Sequence, residues 1–466
     1  MPTRREALCT MASMAIGGTA LHTPTELQAA DNGTACTKLV DLSGDPKTVG
    51  NRFGFTNAKD IKKHMKTVLV DWRRRGLSDA DMINKSEPFR RFTAKFAPAW
   101  VEEDYWCAIR AGVRPELYTA FLAGKYRELF FVDECTSFFA LGEATADGAP
   151  LFHKNRDNAP REQCAYRKHV RHSSRPAAFH ATGDTSDSGL MMMVNEHGLA
   201  GSADTGGLKE TRPKGHGVMN PYILRLIAER AERCEDALEI IQEMIRDGWY
   251  AGGSKTGTNW FFADRYGKGL RVAQNSHEEQ HWFFRDTIVF SARANTDGAR
   301  IVLSKKGNLT LADMNAAATH PSICFGSSIS GMTVRIDPKQ PGQLSSVWFA
   351  LPCISPYVPL YPLANGTPKA ILDGKSSTAG RRLISLLAKP GQQEFGCGLA
   401  LKGDLLEAHK QAQEKIYAQD KQIQAEIEKA FADGDKNTAR GLATQGTVEG
   451  CSTLMSYLDS LKINTT

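Results

Sequence analysis

One thiol and the residues that fold back toward it carry the chemistry of this sequence. Cys135 opens "CTSFFALGEA" (135–144), a β-branched and aromatic run; "TADG" (145–148) is turn chemistry around Asp147-Gly148, and "APLFHKNRD" (149–157) resumes extended structure. This pattern predicts a hairpin. Centring its turn on Asp147-Gly148 sets Cys135 opposite residues near 160 and Ser137 opposite Asn158, and returns Lys154, Asn155, Arg156 and Asp157 beside the start of the first strand. A carboxylate, an amide and two cations near a thiol suit attack on a carbonyl, provided a base takes the thiol proton. His153 and His197 stand at no useful spacing, and their ordinary reading is structural. The alternative base is an α-amine, whose ordinary pKa of about 7.7–8.0 suits proton transfer near neutrality. Cys135 has one only if the bond between Glu134 and Cys135 is cut.

Each residue also has a plainer reading. A lone cysteine opening an apolar strand is ordinarily a small buried hydrophobe. Asp157 could cap a turn, and Asn295 begins "NTDG" (295–298), itself turn chemistry. The combination decides: the spacing from Cys135 to "NRD" (155–157), a long helical stretch before the cysteine, and "RAN" (293–295) after it.

The elements that must position these residues follow from periodicity. Residues 33–134 read mostly as helix, with apolar residues at three and four spacing in 79–112 and again at Leu117, Phe121, Leu122 and Leu129. Further strands fit residues 189–204, 257–264, 269–274, 286–295, 332–337 and 345–352. Asn220-Pro221 reads as an N-cap with proline at the first helical position, leading a helical stretch over 222–248, and 405–434 is strongly helical. The fold class is α+β, sheets covered by helix layers.

Composition excludes several classes. Of 466 residues, 41% are apolar and 24% charged, which suits a globular chain rather than a disordered one. The net charge of +6, from 58 basic and 52 acidic residues spread along the chain, is no nucleic-acid signature. The densest basic stretch, "YRKHVRHSSRP" (166–176), reads as a solvated loop, or as a contact for an anionic substrate group. Arg4 and Arg5 precede a weakly apolar stretch, Ala7 to Leu21, in the layout of a twin-arginine export signal ending near Ala29, so an exported protein without a stable membrane span is expected. None of the ten cysteines forms a CxxC pair, and no Cys/His spacing suits zinc. Neither haem, iron–sulfur nor dinucleotide motifs occur, so no metal or organic cofactor is expected.

The Cys-Thr start, the Asp-Gly turn and the Asn-x-Asp triplet resemble the cysteine-type N-terminal-nucleophile hydrolases, specifically the autoproteolytic acyltransferases of the isopenicillin-N acyltransferase type. Residues 97–129 look like the pro-segment of that group. "VNEHGLAGSA" (194–203) is similar to a strand of bile-salt and penicillin-V hydrolases, as are "TNWFFADRYGKGLRVAQ" (258–274) and "SARANTD" (291–297); "SSVWFALPCISPYVPLYP" (345–362) is more similar to secernin-type dipeptidases. The resemblance implies an αββα sandwich of two antiparallel sheets between helix layers, divided as signal 1–29, helical pro-segment 30–134 and catalytic domain 135–466. It implies Cys135 as nucleophile, freed at Glu134-Cys135 and using its own α-amine as base, with Asp157 orienting that amine and Asn295 in the oxyanion hole. Lys154, Asn155, Asp204, Thr205 and Arg293 would serve the oxyanion or the substrate. The sequence departs from the family at "ADTGG" (203–207), where an asparagine is common, and at Lys154, often arginine or glutamine. The expected activity is hydrolysis or acyl transfer on a small-molecule amide or short peptide, in a periplasmic or extracellular α/β heterodimer. The alternatives are an uncut, catalytically silent binding protein of the same fold and a secernin-type dipeptidase.

Overall fold

The computed structural model describes residues 39–128, 135–157, 163–170, 176–210, 217–250, 256–324, 328–350, 355–364, 401 and 403–461. The twin-arginine stretch and Glu134 lie outside them.

The stretch before the cysteine is helical as its periodicity implies: α1 (Pro46–Arg74), α2 (Asp79–Lys85), α3 (Glu87–Phe96), α4 (Pro98–Ala111) and α5 (Pro115–Glu128). Local chemistry sets the boundaries. Asp45 caps α1 by accepting from the Thr48 amide at 2.7 Å with Pro46 at the first position, Ser78 and Asp81 form a capping box on α2, and Gly112 ends α4 in the left-handed region. One element was not expected. β1 (Leu39–Gly44) precedes the helices and pairs in parallel with β4 (Gln163–Val170), so the N-terminal stretch contributes an edge strand to a sheet built from later residues.

After the cysteine come β2 (Thr136–Ala140), β3 (Leu151–Asp157), β4, β5 (Phe179–Asp184), β6 (Met192–Asn195) and β7 (Leu199–Lys209), then α6 (Asn220–Arg230) and α7 (Cys234–Arg246). There follow β8 (Thr256–Asp264), β9 (Gly269–Gln274), β10 (Glu279–Phe284), β11 (Ile288–Phe290), α8 (Asp297–Leu303), α9 (Leu311–Thr319), β12 (Ser328–Arg335), α10 (Pro341–Leu344), β13 (Ser346–Ala350), β14 (Val358–Leu360), α11 (Gly403–Ala432) and α12 (Lys436–Ser460). An eight-stranded sheet runs β1-β4-β5-β6-β7-β8-β9-β10 and a six-stranded sheet β11-β2-β3-β12-β13-β14. All pairs are antiparallel except β1 with β4.

Strand alternation builds the layers. Phe139 and Phe152 from one sheet and Met192, Ala200 and Phe261 from the other meet in a core between the sheets. The outward side chains of the larger sheet, among them Met193, Trp260 and Phe262, join one cluster with α1 to α7. Phe138, Ala140 and Leu151 of the smaller sheet pack on Val302, Met314 and Ala317 of α8 and α9, and β13 and β14 pack on α11 and α12. The αββα sandwich expected from the sequence is therefore the architecture observed.

Several local expectations shift. Residues 286–295 form strand only over Ile288–Phe290 and then turn into α8. Residues 166–170, read as loop, lie in β4. Met219 rather than Asn220 is the cap residue of α6, and 222–248 divides into two helices around Ala231–Arg233.

The N-terminal helices are joined to α6 through buried charge. Arg225 bonds Glu103 of α4, Glu229 at 3.1 Å and Ser188 at 2.5 Å, its guanidinium carbon lies over the Trp100 ring at 4.2 Å, and the Trp100 indole N–H donates to Glu229 at 2.8 Å. Tyr118 of α5 donates to the Ser186 carbonyl at 3.2 Å. Burial penalises the Arg225 charge, but Glu103, Glu229 and Asp104 together more than offset it and raise its pKa.

Candidate active site

In the hairpin, Thr136 pairs with Asn155, Ser137 with Lys154 and Phe138 with His153. Ser137 thus lies four residues from its expected partner, Asn158. β2 ends at Ala140, a 3₁₀ turn takes Gly142–Ala144, and β3 starts only at Leu151, so the connection is long and its centre falls before Asp147. Extending the register by one residue sets Cys135 beside Arg156. The thiol is reduced and buried.

Ser137 and Lys154 face the eight-stranded sheet. The Ser137 hydroxyl donates to Asp204 Oδ1 at 2.8 Å and lies 2.7 Å from the Ser202 hydroxyl; Lys154 Nζ donates to the Ala203 carbonyl at 2.5 Å and lies 3.1 Å from Asp204 Oδ1. Arg156 pairs with Asp184 at 2.7 Å. Asp184 begins "DTSDSG" (184–189), the loop that Tyr118 holds at Ser186.

The other face is shaped by Arg293. Its guanidinium donates to Thr136 Oγ1 at 3.0 Å and the Ile323 carbonyl at 3.2 Å, and lies 3.6 Å from Asp157 Oδ2; Ser328 donates to Asp157 Oδ1. Arg293 has φ 62°, a left-handed conformation costly for a side chain with a Cβ, and Thr296 stabilises it by donating from its amide and hydroxyl to the Arg293 carbonyl. Arg293 therefore ties the residue after Cys135 to Asp157.

Other sequence-predicted residues lie elsewhere. Asn155 does not face Cys135: its amide accepts from the His153 ring at 2.9 Å and donates to the Ala318 carbonyl of α9 at 2.8 Å. His153 also meets Thr333 at 2.8 Å, and burial lowers its pKa to about 3, so it is neutral at pH 7 with both ring nitrogens engaged. Asn295 is exposed in the turn before α8, because the chain has already left β11 there. Thr205 is half-buried opposite Thr258.

The amide on the inter-sheet face is Asn259, which the sequence reading passed over as part of a strand. It pairs with Asp204 across β7 and β8, is buried, and donates through Nδ2 to the Gly206 carbonyl at 2.7 Å, while Oδ1 has no hydrogen-bond partner among the described residues. Gly206 at φ 104° permits the bend that brings its carbonyl to Asn259, just where the β7–β8 register shifts. A signal existed in "TNWFFAD": an amide inside an otherwise apolar strand disfavours that position unless it is used.

Among the described residues no group of three or more His, Cys, Asp or Glu is placed to hold a metal ion, and no helix is long and apolar enough to cross a membrane. Burial raises the thiol pKa of Cys107 and Cys234 and pushes that of Cys451 up to about 11. Cys324 is disulfide-bonded.

Residues 144–281 match the family model of acyl-coenzyme A:6-aminopenicillanic acid acyl-transferase, which bears out the resemblance read from the motifs. The match begins after Cys135, includes β3, Asp204 and Asn259, and ends before Arg293. Among solved structures, the chain is similar to a conjugated bile acid hydrolase from Clostridium perfringens, with 12% identity over 47% of this chain and 89% of that chain and a TM-score of 0.33. It is also similar to a penicillin V acylase from Agrobacterium tumefaciens, with 9% identity over 49% and 86% and a TM-score of 0.34. A third is the Caenorhabditis elegans ortholog of N-acylethanolamine-hydrolyzing acid amidase, with 10% identity over 44% and 94% and a TM-score of 0.33. No curated protein matches the chain.

Proposed function

We propose, from the match to the acyl-transferase family model as premise, that the chain is an exported, self-processing amidohydrolase or acyltransferase with Cys135 as its nucleophile. The observation that carries this reading is the setting of Cys135: a buried thiol just ahead of β2, with β3 beside it and Arg293 joining its neighbour Thr136 to Asp157.

In the first reaction the Cys135 thiol attacks the Glu134 carbonyl. The peptide C–N bond breaks as the acyl group moves from nitrogen to sulfur, and water then splits the thioester, leaving a Glu134 carboxylate and a Cys135 with both thiol and α-amine. In turnover the α-amine takes the thiol proton, the thiolate adds to the substrate's amide carbonyl, and the amine returns the proton to the leaving nitrogen. Water or a second amine resolves the thioester. Asp157 orients the α-amine. Asn259 stands for the expected Asn295: Nδ2 carries two protons, one goes to Gly206, and the second is available to the oxyanion. The family-like roles expected for Lys154 and Asn155 are not assigned, since Lys154 is held by Asp204 and Asn155 by His153 and α9.

The N-terminal part is expected to stay bound after cleavage as the partner of an α/β heterodimer, supported by β1 in the larger sheet and by the Arg225 cluster. The test is an intact-mass measurement on chains beginning at residue 30, wild type and Cys135→Ala. Two fragments, one starting at Cys135, and an uncut mutant are expected, followed by turnover in an amide screen. An uncut, inactive wild type with an unreactive Cys135 overturns the reading.

A further inference from the structure

Among the described residues, each cation that frames the thiol has its own aspartate. Lys154 lies 3.1 Å from Asp204, Arg156 2.7 Å from Asp184 and Arg293 3.6 Å from Asp157, and in the first two pairs both side chains are at most 1% exposed. Of these cations only Lys154 sits on a side chain without a rigid fork, and its ammonium is drawn to β7 by both Asp204 and the Ala203 carbonyl. Asp204 is fixed in turn: Oδ1 also accepts from Ser137, whose hydroxyl touches Ser202. Its second oxygen, Oδ2, is buried and has no hydrogen-bond partner among the described residues. Ser137 follows Cys135 by two positions on the same strand face, about 7 Å along the strand. Asp204 therefore stands within reach of the substituent next to a scissile amide held at Cys135.

We propose that Asp204 sets the charge preference of the substrate site at Cys135. By cancelling Lys154 and presenting Oδ2 it favours amides whose group beside the scissile bond is uncharged or carries an N–H donor, and disfavours a carboxylate there. The substrate class rests on the amidase reading above; the charge assignment does not. The chain's departure at "ADTGG" then has a chemical purpose, since asparagine at 204 would leave the Lys154 charge uncompensated.

The test measures the charge felt at Cys135 without needing turnover. The purified protein is treated with methanethiosulfonates bearing an ethylammonium, a methyl or an ethylsulfonate group, and the rate of adduct formation on the Cys135 peptide is followed by mass and divided by that of free cysteine. In wild type the sulfonate is expected to react no faster, relative to the ammonium reagent, than with free cysteine. Asp204→Asn is expected to raise that ratio on the order of 10- to 100-fold, from one uncompensated buried charge at this range. Lys154→Met should lower it, and the double substitution should return it to wild type, which serves where a single variant does not fold. Matched β-alanyl and succinyl anilides should follow the same order. A wild type that favours the sulfonate tenfold, or a folded Asp204→Asn with an unmoved ratio, overturns the proposal. The expected ratios together with no turnover of any amide would count against the amidase reading instead.

Discussion

Asn259 and Asn295 differ in the property that matters for an oxyanion donor. A donor held in a buried, fixed orientation acts on developing charge without reorganisation, whereas an exposed amide in a turn competes with water. Asn259→Ala is expected to lower kcat about 10²- to 10³-fold, and Asn295→Ala to change it less than about threefold, as surface substitutions ordinarily do; steady-state kinetics on one amide substrate separates the two. Comparable losses at both positions would restore Asn295 to the site. Hairpin spacing made the pairing of the Cys135 strand with the Lys154–Asp157 strand legible, but not its register, nor that Lys154 and Asp157 lie on opposite faces. The sequence reading extended the strand through Asn295 because "RAN" reads on as strand, while the chain turns out of β11 at Ser291. Nor could it show that Lys154 meets Asp204, since that contact crosses between two sheets.

The layer of helices α1 to α5 reaches the hairpin through the 184–189 loop and α6. Its helices were legible from apolar spacing; β1 was not, because six residues of strand gain their meaning only from a partner more than a hundred positions away. Arg225 is the centre of the joint between this layer and α6, and it bonds Ser188 in the 184–189 loop whose Asp184 pairs with Arg156 of the hairpin. Removing one partner of a buried ion cluster leaves the others charged and unmatched. Arg225→Met is therefore expected to destabilise the protein by about 3–5 kcal/mol, measured by chemical denaturation, and a further change of Glu103 and Glu229 to Gln should recover part of that loss. A single Arg225→Met effect below about 1 kcal/mol would show that the joint does not depend on charge.

For the molecule as a whole, acid is the condition to watch. Burial lowers the pKa of His153 to about 3 and of His409 to about 4. Both are depressed, so the unfolded chain takes up protons first, and stability is lost as pH falls from about 6.5 toward these values. By pH 4 each contributes a loss of about 3 kcal/mol. Asp420 acts in the opposite sense: burial raises it to about 6, despite the bond from Tyr361, so its neutral form gains stability as pH falls from 6 toward its ordinary value. The two histidines outweigh it, and the unfolding midpoint is expected to drop between pH 6.5 and 4. His409→Leu should flatten that profile by about 3 kcal/mol and Asp420→Asn should steepen it, both read by thermal melts across pH; an unchanged slope in His409→Leu would mean the ring is already protonated when folded. Fragments generated at Cys135 are expected to co-elute on size exclusion in native buffer and to separate only in denaturant; two separate native peaks would contradict a retained N-terminal part. The parallel pairing of β1 with β4 has one more consequence, in time rather than in space. A ribosome adding about 5–20 residues per second delivers Leu39–Gly44 many seconds before Gln163–Val170 exists to receive it. During that interval the nascent chain carries a strand without its partner, and the helices behind it must form while the strand waits.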